Sequence, residues 1–487
     1  MPKAPQPLEI ARGSANDDPA SDHARTLLEA TGSTPSRGLQ PGGDAALNPL
    51  TSCAAEAWAA SGAMGLAGEP NEPPRFAAAP LAIAALGAGR ALEALRDGRA
   101  SPTDWPALLA ERAALVGHTR QGSVSAGGAA RLLKTCDGWI AVQLPRLDDW
   151  QLVPAWLEID LPAERFELDS GWRLIEGRLR TRNTKDVIDR GRLIGLAVAE
   201  ATRTISSHVP AYQLRATSEA APIERRLRVL DLTSLWAGPL ATSLLADAGC
   251  NVLKVEAPGR PDGARSGPTE FFDLMNHGKQ SVALDLHQAT DRAHFERLLD
   301  AADVVVESAR PRSLAQLGYD AKTWCSVRAG RLWTSITGYG REQEWIAFGD
   351  DAAVAAGLAW PLAPDATSAS TPSFCGDAIA DPLTGLHAAA LMLGFLRNGR
   401  GGLLELSLRD VVASTASIEG GSLVASLEGD EQQGWIVRSE GDRVVPVAPP
   451  RSRKLRGPAP RLTEPRESAL TEWCEDRSSL PSSDTRC

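Results

Sequence analysis

The spacing of apolar and polar positions changes character along the chain. Residues 1–24 and 32–48 are rich in Pro, Gly, Ser and Asp and show no apolar period. They read as a flexible leader over 1–48, interrupted by one short helix at HARTLLEA. Ala- and Leu-rich helical patterns follow at 54–66 and 78–97, split by the turn-rich GEPNEPPR. An amphipathic helix at 103–114 opens on Ser101, Pro102, Thr103 and Asp104 as capping material. ARLLKTCDGWIAVQL, over 130–145, predicts strand, Asp-Gly turn, strand. A helix resumes at LDDWQLVPAWL, with Asp148 and Asp149 near its positive end. Residues 170–204 add one or two more helices, and the polar, Pro-bearing 205–225 reads as a linker.

Beyond 226 the alternation is between short apolar blocks and helical stretches. RVLDLTSL (228–235), NVLKVEA (251–257), SVALDL (281–286), ADVVVESA (302–309) and LWTSITGYG (332–340) predict strands. Helices are expected at 240–248, 290–300, 312–317, 352–358 and 382–397, and LLELSLRDVVAST (403–415) is a strand entering a helix. Val/Ile/Leu runs separated by helices predict a parallel sheet covered on both faces. The expected fold class is therefore α/β: a Rossmann-like parallel-sheet large domain over 226–420, beside a smaller mixed α+β domain within 49–204. Residues 421–465 read as mixed, with short strands near GWIV and DRVVPVAPP, and 466–487 as a loose tail.

Length and composition narrow the class. A chain of 487 residues has room for about two to four domains. The net charge of −10 argues against nonspecific nucleic-acid binding. Seven scattered cysteines without a CxxC fit a reducing cytoplasm and give neither a disulfide framework nor zinc spacing, so no metal is expected. The first residues lack the apolar core of a signal peptide, and no apolar run is long enough for a membrane span. Thirteen Trp against three Tyr point to helix packing and pocket walls.

Several positions carry candidate chemistry. The first strand-to-helix loop, SLWAGPLATSLL, lacks GxGxxG and offers only Gly238 before Pro239, so no nicotinamide site is expected. P-loop, GxSxG and HExxH motifs are absent. The loop 257–280 holds Arg260, Arg265 and Lys279, which suit either phosphate binding or a solvated surface. Asp377 and Asp381 lie in SFCGDAIADPLTGLHAA. Asp381 precedes Pro382 and an apolar helix, so it reads as an N-cap with Pro at N1, or as a carboxylate nucleophile at a helix start. Asp350 and Asp351 form a like-charge pair before another helix and fit either capping or a site edge. His387, on an apolar helix, reads as packed, and His277 has no partner nameable from spacing.

The stretch 228–415 resembles the class III (CaiB/BaiF-type) CoA-transferases, a family that also holds formyl-CoA transferase-like and alpha-methylacyl-CoA racemase-like enzymes. The resemblance rests on DLTSLWAGPLATSLLADAGCNVLKVEAPGRPDGAR, NHGKQSVALDL, ADVVVESARPRSLAQLGYD, SITGYG and GDAIADPLTGLHAAALMLGFLRNGRGGLLELSL, in that order. It implies CoA transfer from an acyl-CoA to a carboxylic acid, with Asp381 acylated as nucleophile. Gly376 and Gly385 are then local oxyanion contributors. Arg260, Arg265, Lys279, Arg310 and Arg312 form the implied CoA-contacting surface, and Trp236, where some transferases carry a glutamine, bounds the acyl pocket. The family's racemases carry a histidine where this chain has Asp350, which lowers the racemase reading. LLKTCDGWIAVQLPRLDDWQLVPAWL is similar to the family's small domain, which normally follows the nucleophile half. WAASGAMGLAG…PPRFAAAPLAIAALGAG looks like a worn copy of 352–396, with Ala79 at the position of Asp381. The resemblance thus implies a rearranged or partly duplicated first half, and a homodimer. A racemase and a noncatalytic acyl-CoA-binding scaffold are the alternatives.

Overall fold

The structure is a computed structural model and describes residues 18–33, 53–96, 103–160, 168–206, 208–223, 225–310, 312–360, 371–418, 425–440, 442–463 and 467–475. Helix α1 (Pro19–Ala30) starts where the Asp18 carboxylate accepts the Ala20 N–H. After α2 (Ala54–Ala60) comes α3 (Leu81–Leu95), whose small residues allow close helix approach. A Cβ on Gly87 would meet the Ala20 carbonyl oxygen at 2.8 Å, where α1 lies. The helix expected at 103–114 is a 3₁₀ turn, Trp105–Ala110, running into α4 (Glu111–Val116), which Gly117 closes at φ 72°. The short helix expected at HARTLLEA is part of α1, and residues 1–17 and 34–48 lie outside the described residues.

The hairpin is present as β1 (Ala130–Lys134) and β2 (Trp139–Gln143), with Lys134 opposite Trp139. Helices α5 (Leu147–Leu157), α6 (Leu168–Leu179) and α7 (Thr184–Ile194) follow. A third strand, β3 (Ala197–Glu200), pairs antiparallel with β2. The sequence reading expected only helix there, because AVAE is too short to show a period of two. Trp150, Trp156 and Trp172 pack with Ile140, Val142 and Val198 in a core of their own.

The stretch read as a linker carries β4 (Tyr212–Glu219). Then come β5 (Arg228–Leu232), α8 (Ala237–Asp247), β6 (Asn251–Glu256), α9 (Thr269–Asn276), β7 (Gln280–Ala283), α10 (Ala289–Ala301) and β8 (Val304–Glu307). They are followed by α11 (Ser313–Gln316), α12 (Ala321–Val327), β9 (Leu332–Thr337), α13 (Gly349–Ala355), α14 (Ala380–Arg397), β10 (Arg400–Ser407) and α15 (Leu408–Ser414). The main sheet runs β4-β10-β9-β8-β5-β6-β7 and is parallel except for β4. Counted from β5, the parallel strands lie in the order third, second, first, fourth, fifth, sixth. This is the Rossmann-like order, and its winding reverses between β5 and β8, opening a crevice at the strand carboxyl ends. The fold is mixed α/β, as expected. Strands β8 and β9 are buried along their whole length, whereas edge strand β4 is half exposed. Helix α9 occupies part of the segment read as one long loop; its Phe271, Phe272, Leu274 and Met275 are buried.

A meander of β11 (Ala425–Asp430), β12 (Gly434–Ser439) and β13 (Val444–Pro446) is tied to α2 by an Arg443–Glu56 ion pair of 2.7 Å. Within the segment expected to be loose, α16 (Glu467–Glu475) buries Leu470 and Trp473 in the core with Phe295 and Trp333. Helix α14 is buried from Pro382 to Leu396 and packs between α3 and α8. It meets α1 where the Nε2 atoms of His23 and His387 lie 2.9 Å apart. No described helix is long and apolar enough to cross a membrane.

Candidate active site

Asp381 does not cap α14. The helix begins two residues earlier than that cap requires, at Ala380; Ile379 holds the cap position without a side-chain bond, and Asp381 sits inside the first turn. Its carboxylate is thereby free of capping and faces the backbone N–H groups of Gly349 and Ala237, the first residues of α13 and α8. Gly349 is required for this approach, because a Cβ there would collide with the Ala378 carbonyl and with Asp381 Oδ2. The turn before α14 is strained: Ala378 has φ 45° and Gly376 φ 79°. Gly385, expected near the oxyanion, lies within α14, where its N–H belongs to the helix ladder. Its role is packing, since a Cβ would meet the Ala237 carbonyl oxygen at 2.6 Å.

Three more carboxylates surround Asp381. Asp350 and Asp351 open α13 and are buried; Asp377 is completely buried. Asp350 Oδ1 accepts the Ala378 N–H at 2.8 Å, and Asp351 Oδ1 accepts the Phe348 N–H at 2.7 Å. Asp377 receives Arg112 on both oxygens, from Nε at 2.9 Å and Nη2 at 2.5 Å, and His118 Nδ1 lies 3.3 Å from Oδ2. The same guanidinium stacks 4.8 Å from the Trp236 ring centroid. Sequence reasoning missed Arg112 and His118 on α4 and after it, and the donors Gly349 and Ala237. Only the Gly349 of FGDD carried a local signal, a glycine at a helix start.

Burial and charge separate the four acids. Burial raises Asp381 to about 7, with Arg112 opposing it. Burial and the Asp377 charge raise Asp350 to about 6. Burial raises Asp351 to about 8, against the Phe348 N–H. Burial acts upward on Asp377 too, but Arg112 and His118 overcome it and hold that carboxyl at about 2. The site therefore holds one firmly ionised carboxylate, already paired, and three that exchange protons near neutrality.

Trp236, expected to bound the acyl pocket, is buried between Arg112 and an edge-on Phe271 at 5.2 Å. It follows Leu235, which is exposed and has φ 71°. This loop at the β5 end is fixed by Asp262, which accepts the Leu235 N–H at 2.9 Å, and by Ser308, whose Oγ accepts the Ser234 N–H at 3.1 Å. Lys279, expected among the CoA-contacting cations, is wholly buried on Asp231 at 3.0 Å and also donates to Thr242, Asn276 and the Pro239 carbonyl. Burial lowers it to about 8, Asp231 opposing. Arg265 is held by Glu256 at 2.6 Å and lies over Phe272. Arg312 is exposed and pairs with Glu344 at 3.0 Å. Arg260 and Arg310 are exposed on the loops after β6 and β8.

A separate cavity of about 250 Å³ opens beside α7, lined by Lys185, Arg192, Tyr339, Trp345 and Arg409 among others. None of the four carboxylates lines it. Among the described residues, no group of three or more His, Cys, Asp and Glu is placed to hold a metal ion.

Residues 225–444 match the family described as CoA-transferase family III. The chain is 29% identical over 202 residues to succinate–glutarate CoA-transferase of Agrobacterium fabrum, covering 38% of this chain and 50% of that protein. It is 32% identical over 193 residues to succinyl-CoA:glutarate CoA-transferase of Mus musculus, covering 37% and 44%. A hypothetical protein of Mycobacterium tuberculosis with a solved structure is 29% identical, with a TM-score of 0.38, over 46% of this chain and 65% of that one. The chain spans about half the length, or less, of these two curated relatives. Arg112 and His118 lie outside the matched segment. Residues 225–444 thus carry the similarity of this chain to CoA-transferase family III.

Proposed function

We propose that the protein transfers CoA between an acyl-CoA and a carboxylic acid through a covalent intermediate on Asp381. An Asp381 oxygen attacks the thioester carbonyl carbon, the C–S bond breaks, and CoA leaves as thiolate, giving a mixed anhydride. The thiolate then attacks the Asp381 acyl carbon, which releases the first acid and leaves an aspartyl-CoA thioester. The acceptor carboxylate reverses the two steps. The N–H groups of Gly349 and Ala237 are the donors nearest the charge that develops on Asp381. Arg260 and Arg310, exposed at the carboxyl ends of β6 and β8, suit the phosphates of CoA, with Arg265 and Arg312 beside them; Lys279 acts from below by fixing Asp231.

The observation that carries this reading is the release of Asp381 from capping: a half-buried residue whose carboxylate faces two backbone N–H groups. The racemase reading is weaker, because Asp350, at the position of the racemase histidine, is buried and occupied by the Ala378 N–H. We infer as well that the first half is a worn partial copy serving the second; the packing of α3 along α14 supports this.

The test is incubation with acetyl-CoA, succinyl-CoA and glutaryl-CoA, trapping with hydroxylamine, and mass spectrometry. A hydroxamate at Asp381 is expected. Tight CoA binding with no adduct from any thioester would replace transfer with the noncatalytic scaffold.

A further inference from the structure

A cation packed among the carboxylates around Asp381 comes from outside the matched family segment. That cation, Arg112, comes from α4 in the first half of the chain. It is fixed twice, by two bonds to Asp377 and by stacking on Trp236, and so holds one orientation. These contacts use Nε, Nη2 and one face of the guanidinium. No described residue accepts from Nη1. The charged and titratable groups gathered around Asp381 are Asp350 and Asp351 from α13, Asp377 from the preceding turn, and Arg112 and His118 from the α4 segment. The carboxylates would repel one another when ionised; among the charges acting on Asp381, that of Arg112 is the strongest and opposes that of Asp350.

We propose that Arg112 is the positioning residue through which the first half of the chain completes the site around Asp381, its charge favouring the ionised carboxylate that the nucleophile role requires. This inference rests on the reading of Asp381 given under Proposed function. A purely structural role, neutralising the buried Asp377, would leave the same ion pair but would have no separate hold on Asp381.

The two roles separate in the variant Arg112→Gln/Asp377→Asn, which removes both partners of the ion pair and leaves no orphaned buried charge. The Asp381 titration is followed by carbon-13 NMR of Asp-labelled protein, the signal being identified by its loss in Asp381→Asn. The hydroxylamine-trapped adduct from succinyl-CoA is measured across the same pH range. In the double variant the Asp381 midpoint rises, because the Arg112 charge acts on Asp381 more strongly than the Asp377 charge removed with it. Arg112→Lys, which keeps the charge without the fork, restores most of the shift. An Asp381 midpoint in the double variant equal to that of the unaltered protein overturns the inference and leaves Arg112 with a structural role. Absence of any adduct in the unaltered protein overturns the nucleophile reading instead, while the NMR titration still decides on Arg112.

Discussion

Arg112 and Asp377 are 265 positions apart and meet in a two-pronged ion pair, one partner wholly buried and the other at the edge of the site. Removing the arginine alone strands a buried carboxylate. Arg112→Ala is expected to lower stability by about 3 kcal/mol or more, whereas Asp377→Asn costs less because it leaves no unpaired buried anion. Urea unfolding of both variants measures the difference. Asp377 is held at about 2, below its ordinary value, so its contribution is complete above that ordinary value and is lost as pH falls through about 2.

The other three carboxylates act in the opposite direction. Asp350, Asp381 and Asp351 are raised to about 6, 7 and 8, so from about pH 4 upward the folded chain holds protons that the unfolded chain has released. Stability therefore falls as pH rises from about 4 to 8. Urea midpoints at pH 5 are expected to exceed those at pH 8, and Asp351→Asn flattens the slope. Equal midpoints, with Asp351→Asn indistinguishable, would contradict the raised values.

Asp381→Asn keeps the size of the side chain but removes the proposed nucleophile. Turnover with succinyl-CoA and a carboxylic acid is expected to fall on the order of 10³-fold or more. CoA affinity, measured by calorimetry, stays near its original value. A variant with undiminished turnover would exclude Asp381 as the acylated group.

Gly349→Ala places a methyl group against Ala378 and Asp381. Neither neighbour yields easily, one being backbone in a strained turn and the other the carboxylate itself. A loss of about 1–3 kcal/mol of stability is expected, with a fall in adduct formation beyond what the unfolded fraction explains.

Lys279→Met tests whether that lysine meets ligand. It leaves Asp231 without its partner in a buried network, so stability drops by about 3–5 kcal/mol. The double change Asp231→Leu/Lys279→Met recovers part of the loss. CoA affinity of the folded fraction remains unchanged. A selective loss of CoA affinity with normal stability would return Lys279 to the binding surface.

The parallel sheet was legible because its strands are short apolar blocks, as strands covered on both faces must be. β4 was hidden for the converse reason: an edge strand keeps polar side chains outward, and YQLRATSE reads as linker until β10 is there to pair with it. Asp381 was found through DPLTG, but its release from capping depends on where the turn at Ala378 places the helix start. Lys279 shows the limit of residue type. A lysine in a glycine-bearing loop suits a phosphate, and only the fold brings Asp231, 48 positions earlier, beneath it. No local pattern distinguishes Arg112 from any arginine on an amphipathic helix.

The contact between α1 and α14 fixes where two hydrogen atoms reside. His387 Nδ1 lies 2.8 Å from the Leu383 carbonyl oxygen, which can only accept, so that nitrogen carries the hydrogen. Burial keeps both rings neutral, holding His387 at about 4 and His23 at about 3. The Nε2 of His387 is then bare, and the 2.9 Å contact requires His23 to bear its hydrogen on Nε2. One backbone carbonyl thus selects the tautomer of two imidazoles whose residues are 364 positions apart.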